Sequence, residues 1–157
     1  MPNVGTKTNI PKKTTLLKKT NVLKVSARLK SLLLGAGTLE THPSKHCLFR
    51  TDQETAGVYL VVKGRVCLSL PDLPKLDRTF TPGSLLGLPA TFTGNAYSLD
   101  AISATEVEVL HVERTAFLDL MACQPEFCRE AANILSREVT FIQGALAERR
   151  RIKFTAA

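Results

Sequence analysis

The sequence predicts a mainly β domain, a sandwich or barrel with flanking helices, followed by one long C-terminal helix. Three observations carry this. Between His46 and Val112 the chain breaks into many short strand-like runs separated by turn signals. From Pro125 to about Arg151 there is no further Pro and Gly144 is the only Gly, as a continuous helix requires. The charged fraction of 22% and hydrophobic fraction of 44% are those of an ordinary globular domain, and 157 residues are enough to bury a core.

Residues 1–20 hold two prolines, many Thr and Lys, and little apolar surface; they read as a flexible basic arm. From Asn21 to Leu34, Val22, Leu23, Val25, Leu29, Leu32 and Leu33 fit a short amphipathic helix, ended by Gly35 and Gly37. His46 to Arg50 reads as a short strand. Val58 to Val62 is a β-branched and aromatic run, and Arg65 to Leu70 alternates, with Val66, Leu68 and Leu70 on one face. The Lys63-Gly64 link between these two runs predicts a hairpin. Arg78 to Thr81, Tyr97 to Ser103 and Glu106 to Val112 supply further strands, and Arg114 to Met121 a short helix. The organisation expected is therefore an arm (1–20), a β domain with short helices (21–124), and the long helix with a basic tail (125–157).

Phe80 to Ala101, FTPGSLLGLPATFTGNAYSLDA, is the most distinctive stretch. It opens on Pro-Gly, runs through Leu85-Leu86-Gly87-Leu88-Pro89-Ala90, turns again at Thr93-Gly94-Asn95, and returns through Tyr97-Ser98-Leu99. Pro89 forbids an ordinary helix interior, and the glycines mark a backbone that turns tightly or approaches something closely. A loop-helix lining a pocket and a sharp barrel corner both fit.

On the long helix, Cys128, Ala132, Leu135, Val139, Ile142 and Leu146 are spaced 4, 3, 4, 3, 4, a narrow seam suited to helix pairing. A helix of about 27 residues is ~40 Å long, enough to overhang a small domain. The expectation is a homodimer through this seam (Leu135, Val139, Ile142, Leu146).

The net charge is +7, concentrated in the first thirty residues and in Arg149, Arg150, Arg151 and Lys153. No groove-entering motif or interleaved aromatics accompany these charges, so they read as solvated flanks, not a nucleic-acid footprint. No apolar run is long enough to cross a membrane and no secretory h-region follows the first lysines; the cytoplasm is the expected setting, with the four cysteines as thiols. His42, His46 and Cys47 lie close together, but Pro43 intervenes and no C-x-x-C pair completes a zinc set, so no metal site is expected. Neither a catalytic triad nor paired carboxylates on a likely pocket wall is evident, and an enzyme is not expected.

Three segments, HCLFRTDQETAGVYLVVKGRVCLSL, the Phe80–Ala101 stretch, and TEVEVLHVERTAFLDLMACQPEFCREAANILSREV, stand in an order and spacing that resemble the sensor half of the Crp/Fnr superfamily, built on the cyclic-nucleotide-binding domain. The resemblance covers about Lys45 to Leu146. It implies a jelly-roll (double-stranded β-helix) barrel followed by a dimerisation helix, and a signal-sensing role in transcription regulation. It also implies that Phe80–Ala101 is the phosphate-binding cassette, with Leu86, Gly87, Leu88, Pro89, Ala90, Tyr97 and Ser98 as ligand-binding positions and Ile142 and Gln143 facing the ligand from the long helix. Leu88 stands where the family has a Glu for the ribose and Tyr97 where it has an Arg for the phosphate. Losing that guanidinium removes a bidentate, charge-assisted contact. The ligand-sensing module implied is thus one not expected to bind cAMP tightly, leaving the effector unnamed. The alternatives are a ligand-free dimerisation or partner-docking module with Leu88 and Tyr97 filling the old pocket, and, further off, a haem-based gas sensor. The family's helix-turn-helix would follow the long helix, and the chain stops at Ala157, so direct DNA reading by this chain alone is not expected.

Overall fold

The computed structural model describes residues 23–70 and 73–156; within these, the side chains of 73–76, 142, 145, 146 and 148–156 are left out of the description. Helix α1 (Ala27–Leu34) is followed by strands β1 (Thr38–His42), β2 (Cys47–Phe49), β3 (Gly57–Lys63), β4 (Val66–Leu70), β5 (Leu73–Phe80) and β6 (Leu85–Leu86). Helix α2 (Leu88–Thr93), strands β7 (Asp100–Ser103) and β8 (Val107–Glu113), and helices α3 (Arg114–Cys123) and α4 (Pro125–Ala156) complete the order. The strands form two four-stranded antiparallel sheets, β1-β8-β3-β6 and β2-β7-β4-β5. This is the jelly-roll arrangement with flanking helices and a long C-terminal helix.

Strand β3 explains how the layers stack. Side chains alternate across a strand. Val58 and Leu60 point to one hydrophobic cluster, shared with α1, α3 and the start of α4, while Tyr59 and Val61 point to a second cluster between the two sheets. Leu110 and Val112 of β8 face the helices, and Val107 and Val109 face the barrel. A strand covered on both faces is apolar at every position, which is why Val58 to Val61 reads as an unbroken run.

The expected hairpin between β3 and β4 does not form. β3 pairs with β8 and β6, and β4 pairs with β5 and β7, so the two strands lie in different sheets. Gly64, at φ +85°, turns the chain from one sheet to the other, and a Cβ there would lie 2.3 Å from the carbonyl oxygen of Glu106. The link is a corner set by a close backbone approach, not a two-residue loop. Strand β1, TLETH, was not expected; it is an edge strand whose residues are half-buried or exposed, so its sequence carries little strand signal.

The first helix is shorter than its apolar spacing suggests. It starts at Ala27, where Ser26 caps it by accepting from the Leu29 N–H at 3.1 Å, a bond worth about 1 kcal/mol. Ahead of it, Lys24 makes an isolated bridge with Ser84. Glu130 of α4 accepts from the Ser26 N–H at 2.6 Å and the Ser26 hydroxyl at 2.9 Å, fastening α1 to the long helix. The expected arm, residues 1–20, lies outside the described residues, as does the start of the helix expected from Asn21.

The long helix starts with Pro125, as expected. Its barrel-facing stripe is Phe127, Ala131, Ile134 and Glu138, all buried. That stripe lies one position before the predicted seam. Of the seam residues, Ala132 and Val139 are exposed, and Cys128 and Leu135 are half-buried. No helix among the described residues is long and apolar enough to cross a membrane.

Candidate functional site

The cassette begins at β6, whose Leu85 and Leu86 pair with Leu60 and Tyr59 of β3. Gly87 follows at φ +86°, a left-handed conformation that an L side chain resists. A Cβ at this position would lie 3.0 Å from the Gly57 carbonyl oxygen and 3.2 Å from Cε1 of Tyr97. Helix α2 then starts with Pro89 in its first turn, which needs no amide donor there. The Thr91 hydroxyl donates to the Gly87 carbonyl at 2.7 Å, and the Gly94 N–H donates to the Ala90 carbonyl at 2.7 Å, closing the helix on a second left-handed glycine. Arg114 Nε donates to the Thr91 carbonyl at 2.8 Å and ties the cassette to α3.

Leu88 and Tyr97, the two positions at which the resemblance would place charged side chains, are both core residues. Leu88 is fully buried and belongs to the cluster under the helices, with Phe117 and Leu110. Tyr97 is 2% exposed and lies in the cluster between the sheets. Its hydroxyl donates to the Gly57 carbonyl at 2.8 Å and accepts from the Ala56 N–H at 2.9 Å. Its ring stacks on Phe49 with centroids 3.9 Å apart and planes 14° from parallel. Its backbone joins the loop before β3: the Tyr97 N–H donates to Gln53 O at 3.0 Å and Tyr97 O accepts from the Asp52 N–H at 2.8 Å. Every polar atom of Tyr97 is therefore engaged in holding the barrel.

The aromatic layer continues from Phe49 to Tyr59 at 5.8 Å and from Tyr59 to His111 at 4.7 Å. Burial, then the neighbouring Tyr97 and Glu40, push the Tyr59 phenol up to about 12, so it stays protonated. Glu40 sits at the edge of this layer, with His42 Nε2 2.9 Å from its Oε1 and His111 Nδ1 3.8 Å from its Oε2. His42 and His46 stack face to face at 3.9 Å. Among the described residues, no group of three or more His, Cys, Asp or Glu side chains is arranged to hold a metal ion. Cys47 is half-buried, Cys123 is exposed and Cys128 half-buried.

Leu86, Ala90 and Tyr97 share the cluster between the sheets, with Gly87 against the Tyr97 ring, whereas Leu88 lies apart from them in the cluster under the helices. Pro89 is half-buried and Ser98 is exposed. Gln143 is exposed, and the side chains of Ile142 and Leu146 lie outside the described residues. Between barrel and long helix the structure instead places Arg78 of β5. Its guanidinium lies 4.7 Å from the Phe80 ring centroid and 3.8 Å from that of Phe141. Glu138, buried, faces the same space. Sequence reasoning missed this group. The signal was a charged residue inside the second apolar stripe of α4, at 127, 131, 134, 138 and 141, beside the stripe chosen as the seam.

Comparison with known proteins agrees with the fold. Residues 39–123 match the family described as the cyclic nucleotide-binding domain. No curated protein matches the chain by sequence. Among solved structures, the chain is similar in fold to the Thermus thermophilus catabolite activator protein, with TM-score 0.66 and 23% identity over 83% of this chain and 61% of that one. It thus spans about three-fifths of the length of the Thermus protein. A protein of a cyclic-GMP-dependent signalling pathway in bacterial phytopathogenesis superposes with TM-score 0.65 and 19% identity, over 77% of this chain and 96% of that one. The c-di-GMP-responsive global regulator CLP of Xanthomonas campestris gives TM-score 0.64 and 16% identity, over 82% and 65%. With more than half of its residues inside the family match, the chain belongs to the cyclic nucleotide-binding domain family.

Proposed function

We propose that the chain is a regulatory module of the Crp/Fnr type whose cassette is closed by its own side chains, and which works through its long helix without holding cyclic nucleotide tightly. The observation that carries this is Tyr97. At the position where the resemblance places an Arg for the phosphate stands a buried phenol, both of whose hydroxyl bonds are spent on Ala56 and Gly57. Leu88, at the position of the ribose carboxylate, is packed into the helical core. A cyclic phosphate entering here would lose its water shell and meet neither a guanidinium nor a carboxylate partner. Cyclic AMP, cyclic GMP and cyclic di-GMP at about 1 mM are each expected to leave the Tm unchanged, whereas a ligand binding at micromolar Kd would raise it by several degrees. A rise with any of them contradicts the closed cassette.

The output surface proposed is the stripe of α4 that the barrel leaves uncovered. Val139 is 36% exposed and Leu135 is half-buried, and the same spacing continues to Ile142 and Leu146. Two copies of such a stripe bury each other in a symmetric helix pair. The double variant Val139→Glu/Ile142→Glu is expected to sediment as a monomer where the parent chain sediments as a dimer. A parent that is itself monomeric at tens of micromolar concentration overturns this part.

A further inference from the structure

We propose that Glu138, with Arg78 and Ser84, forms a proton-binding site in the seam between the barrel and α4, so that the long helix packs closely with Glu138 protonated and loosens when the proton leaves. This site is separate from the cassette and does not depend on how the cassette is read.

The geometry comes first. A cavity of about 10 Å³, room for about one water molecule, lies between β5, β6 and α4. Phe80, Leu85, Ile134 and Leu23 give it apolar walls, and Arg78, Ser84 and Glu138 are its polar members. Glu138 is 7% exposed and Ser84 1% exposed. Arg78 Nη2 and Ser84 Oγ are buried without a hydrogen-bond partner among the described residues. The Arg78 guanidinium is held by the ring faces of Phe80 and Phe141. An ionised carboxylate in so small and apolar a space is poorly solvated, and one flanking guanidinium offsets only part of that cost.

Among the described residues, few charges surround Glu138. From β5 it meets Arg78, while Asp77 of the same strand is exposed and acts on Cys67. β6 and the residue before it offer Leu85 and the Ser84 hydroxyl, without charge. The segment before α1 offers Leu23, and the neighbouring Lys24 ammonium is committed to Thr81 Oγ1 at 2.6 Å and the Pro82 carbonyl at 2.7 Å. On α4 itself, Arg137 is exposed. Burial accordingly raises the Glu138 carboxyl from its ordinary 4.5 to about 7, with Arg78 opposing the rise, and burial lowers the Arg78 guanidinium.

The sign of the effect follows from linkage. Because the folded pKa lies above the unfolded one, the folded chain holds a proton between pH 4.5 and about 7 that the unfolded chain has released. Stability from this group is therefore highest below pH 4.5, falls as pH rises to about 7, and is level above that. Above pH 7 the carboxylate gains solvation by drawing water into the seam, and the cheapest route is for α4 to move away from Phe80.

The experiment is a pH series on the full chain. The Tm of the parent relative to that of Glu138→Gln is expected to fall by on the order of 5 °C between pH 4.5 and 8, since the amide cannot titrate and contributions from the three histidines cancel in the difference. Amide-exchange protection over residues 134–141, corrected for intrinsic rate, is expected to drop about tenfold or more from pH 5.5 to 8 in the parent but not in Glu138→Gln. A Tm difference that is constant with pH, or an equal loss of protection in Glu138→Gln, overturns the proposal. Should Glu138→Gln not fold, the ¹³C carboxyl resonance of Glu138 in the parent decides: a midpoint near 7 supports the site and one near 4.5 overturns it.

Discussion

Replacing Tyr97 by Ala is expected to cost about 3–5 kcal/mol of folding stability, the range for removing a buried aromatic ring. The ring is sandwiched into the cluster between the sheets, against Phe49, and nothing exposed can collapse into its place. Tyr97→Phe separates the hydroxyl from the ring. It leaves the Ala56 N–H without its acceptor and the Gly57 carbonyl without its donor, at a cost of about 1–3 kcal/mol. Urea unfolding midpoints measure both. A Tyr97→Ala variant within about 1 kcal/mol of the parent would mean that the phenol is a passive lid and not a structural member of the barrel. Since a whole domain is stable by only about 5–15 kcal/mol, the predicted loss is a large share of the total.

An equally large effect is expected at Gly57, where β3 begins. Its φ is +123°, a region that L residues rarely adopt, and a Cβ there would stand 2.2 Å from the Val112 carbonyl oxygen and 2.9 Å from both the Arg114 nitrogen and the Glu113 Cα. All three are backbone atoms, fixed by the β3–β8 register that pairs Gly57 with Glu113 and Val58 with Val112. They cannot step aside as a side chain could. Gly57→Ala is expected to cost more than about 4 kcal/mol, and to disturb the carbonyl that Tyr97 holds. Gly144 is the matched control. It lies in the long helix, a Cβ there meets nothing within 4 Å, and Gly144→Ala is expected to stabilise by about 0.5–1 kcal/mol. The two variants therefore move the denaturation midpoint in opposite directions. A neutral Gly57→Ala would contradict the tight β3–β8 approach.

Much of this was legible in the residues, and the failures have identifiable causes. Apolar runs buried on both faces, such as Val58 to Val61, announce themselves because every position is covered. Pro125 and the absence of breakers after it mark the long helix. In the cassette, Gly87 and Pro89 are readable because glycine and proline mark a tight turn and a first helical turn locally, whereas the absence of two charged side chains at Leu88 and Tyr97 shows only against the family resemblance. Strand β1 was missed because an edge strand leaves polar residues in place. The β3–β4 hairpin was expected because a two-residue link containing Gly has the same sequence whether it closes a hairpin or turns a corner between sheets; only the approach of Gly64 to Glu106 distinguishes them. Strand β5 starts at Leu73, ahead of the Arg78 expected.

On the long helix two stripes of identical 4-3 spacing lie one residue apart. Spacing alone cannot say which faces the barrel, and the buried one contains Glu138, a residue that patterning counts as solvent-facing. The same ambiguity hid the Arg78–Glu138 seam. An arginine and a glutamate brought to one cavity from a strand and a helix about sixty residues apart are a tertiary fact that no local window contains.

The claim on which the account turns is that the cassette is occupied by the chain's own side chains, and amide NMR on the full chain tests it site by site. Cyclic AMP is titrated to about 1 mM while the signals of Gly87, Leu88, Ser98 and the Ala56–Gly57 pair are followed. The closed cassette predicts that none of them shifts in a saturable manner. Saturable shifts at Gly87 and Leu88, with release of the Ala56 amide from Tyr97, would show that the cassette opens to nucleotide and would contradict the account.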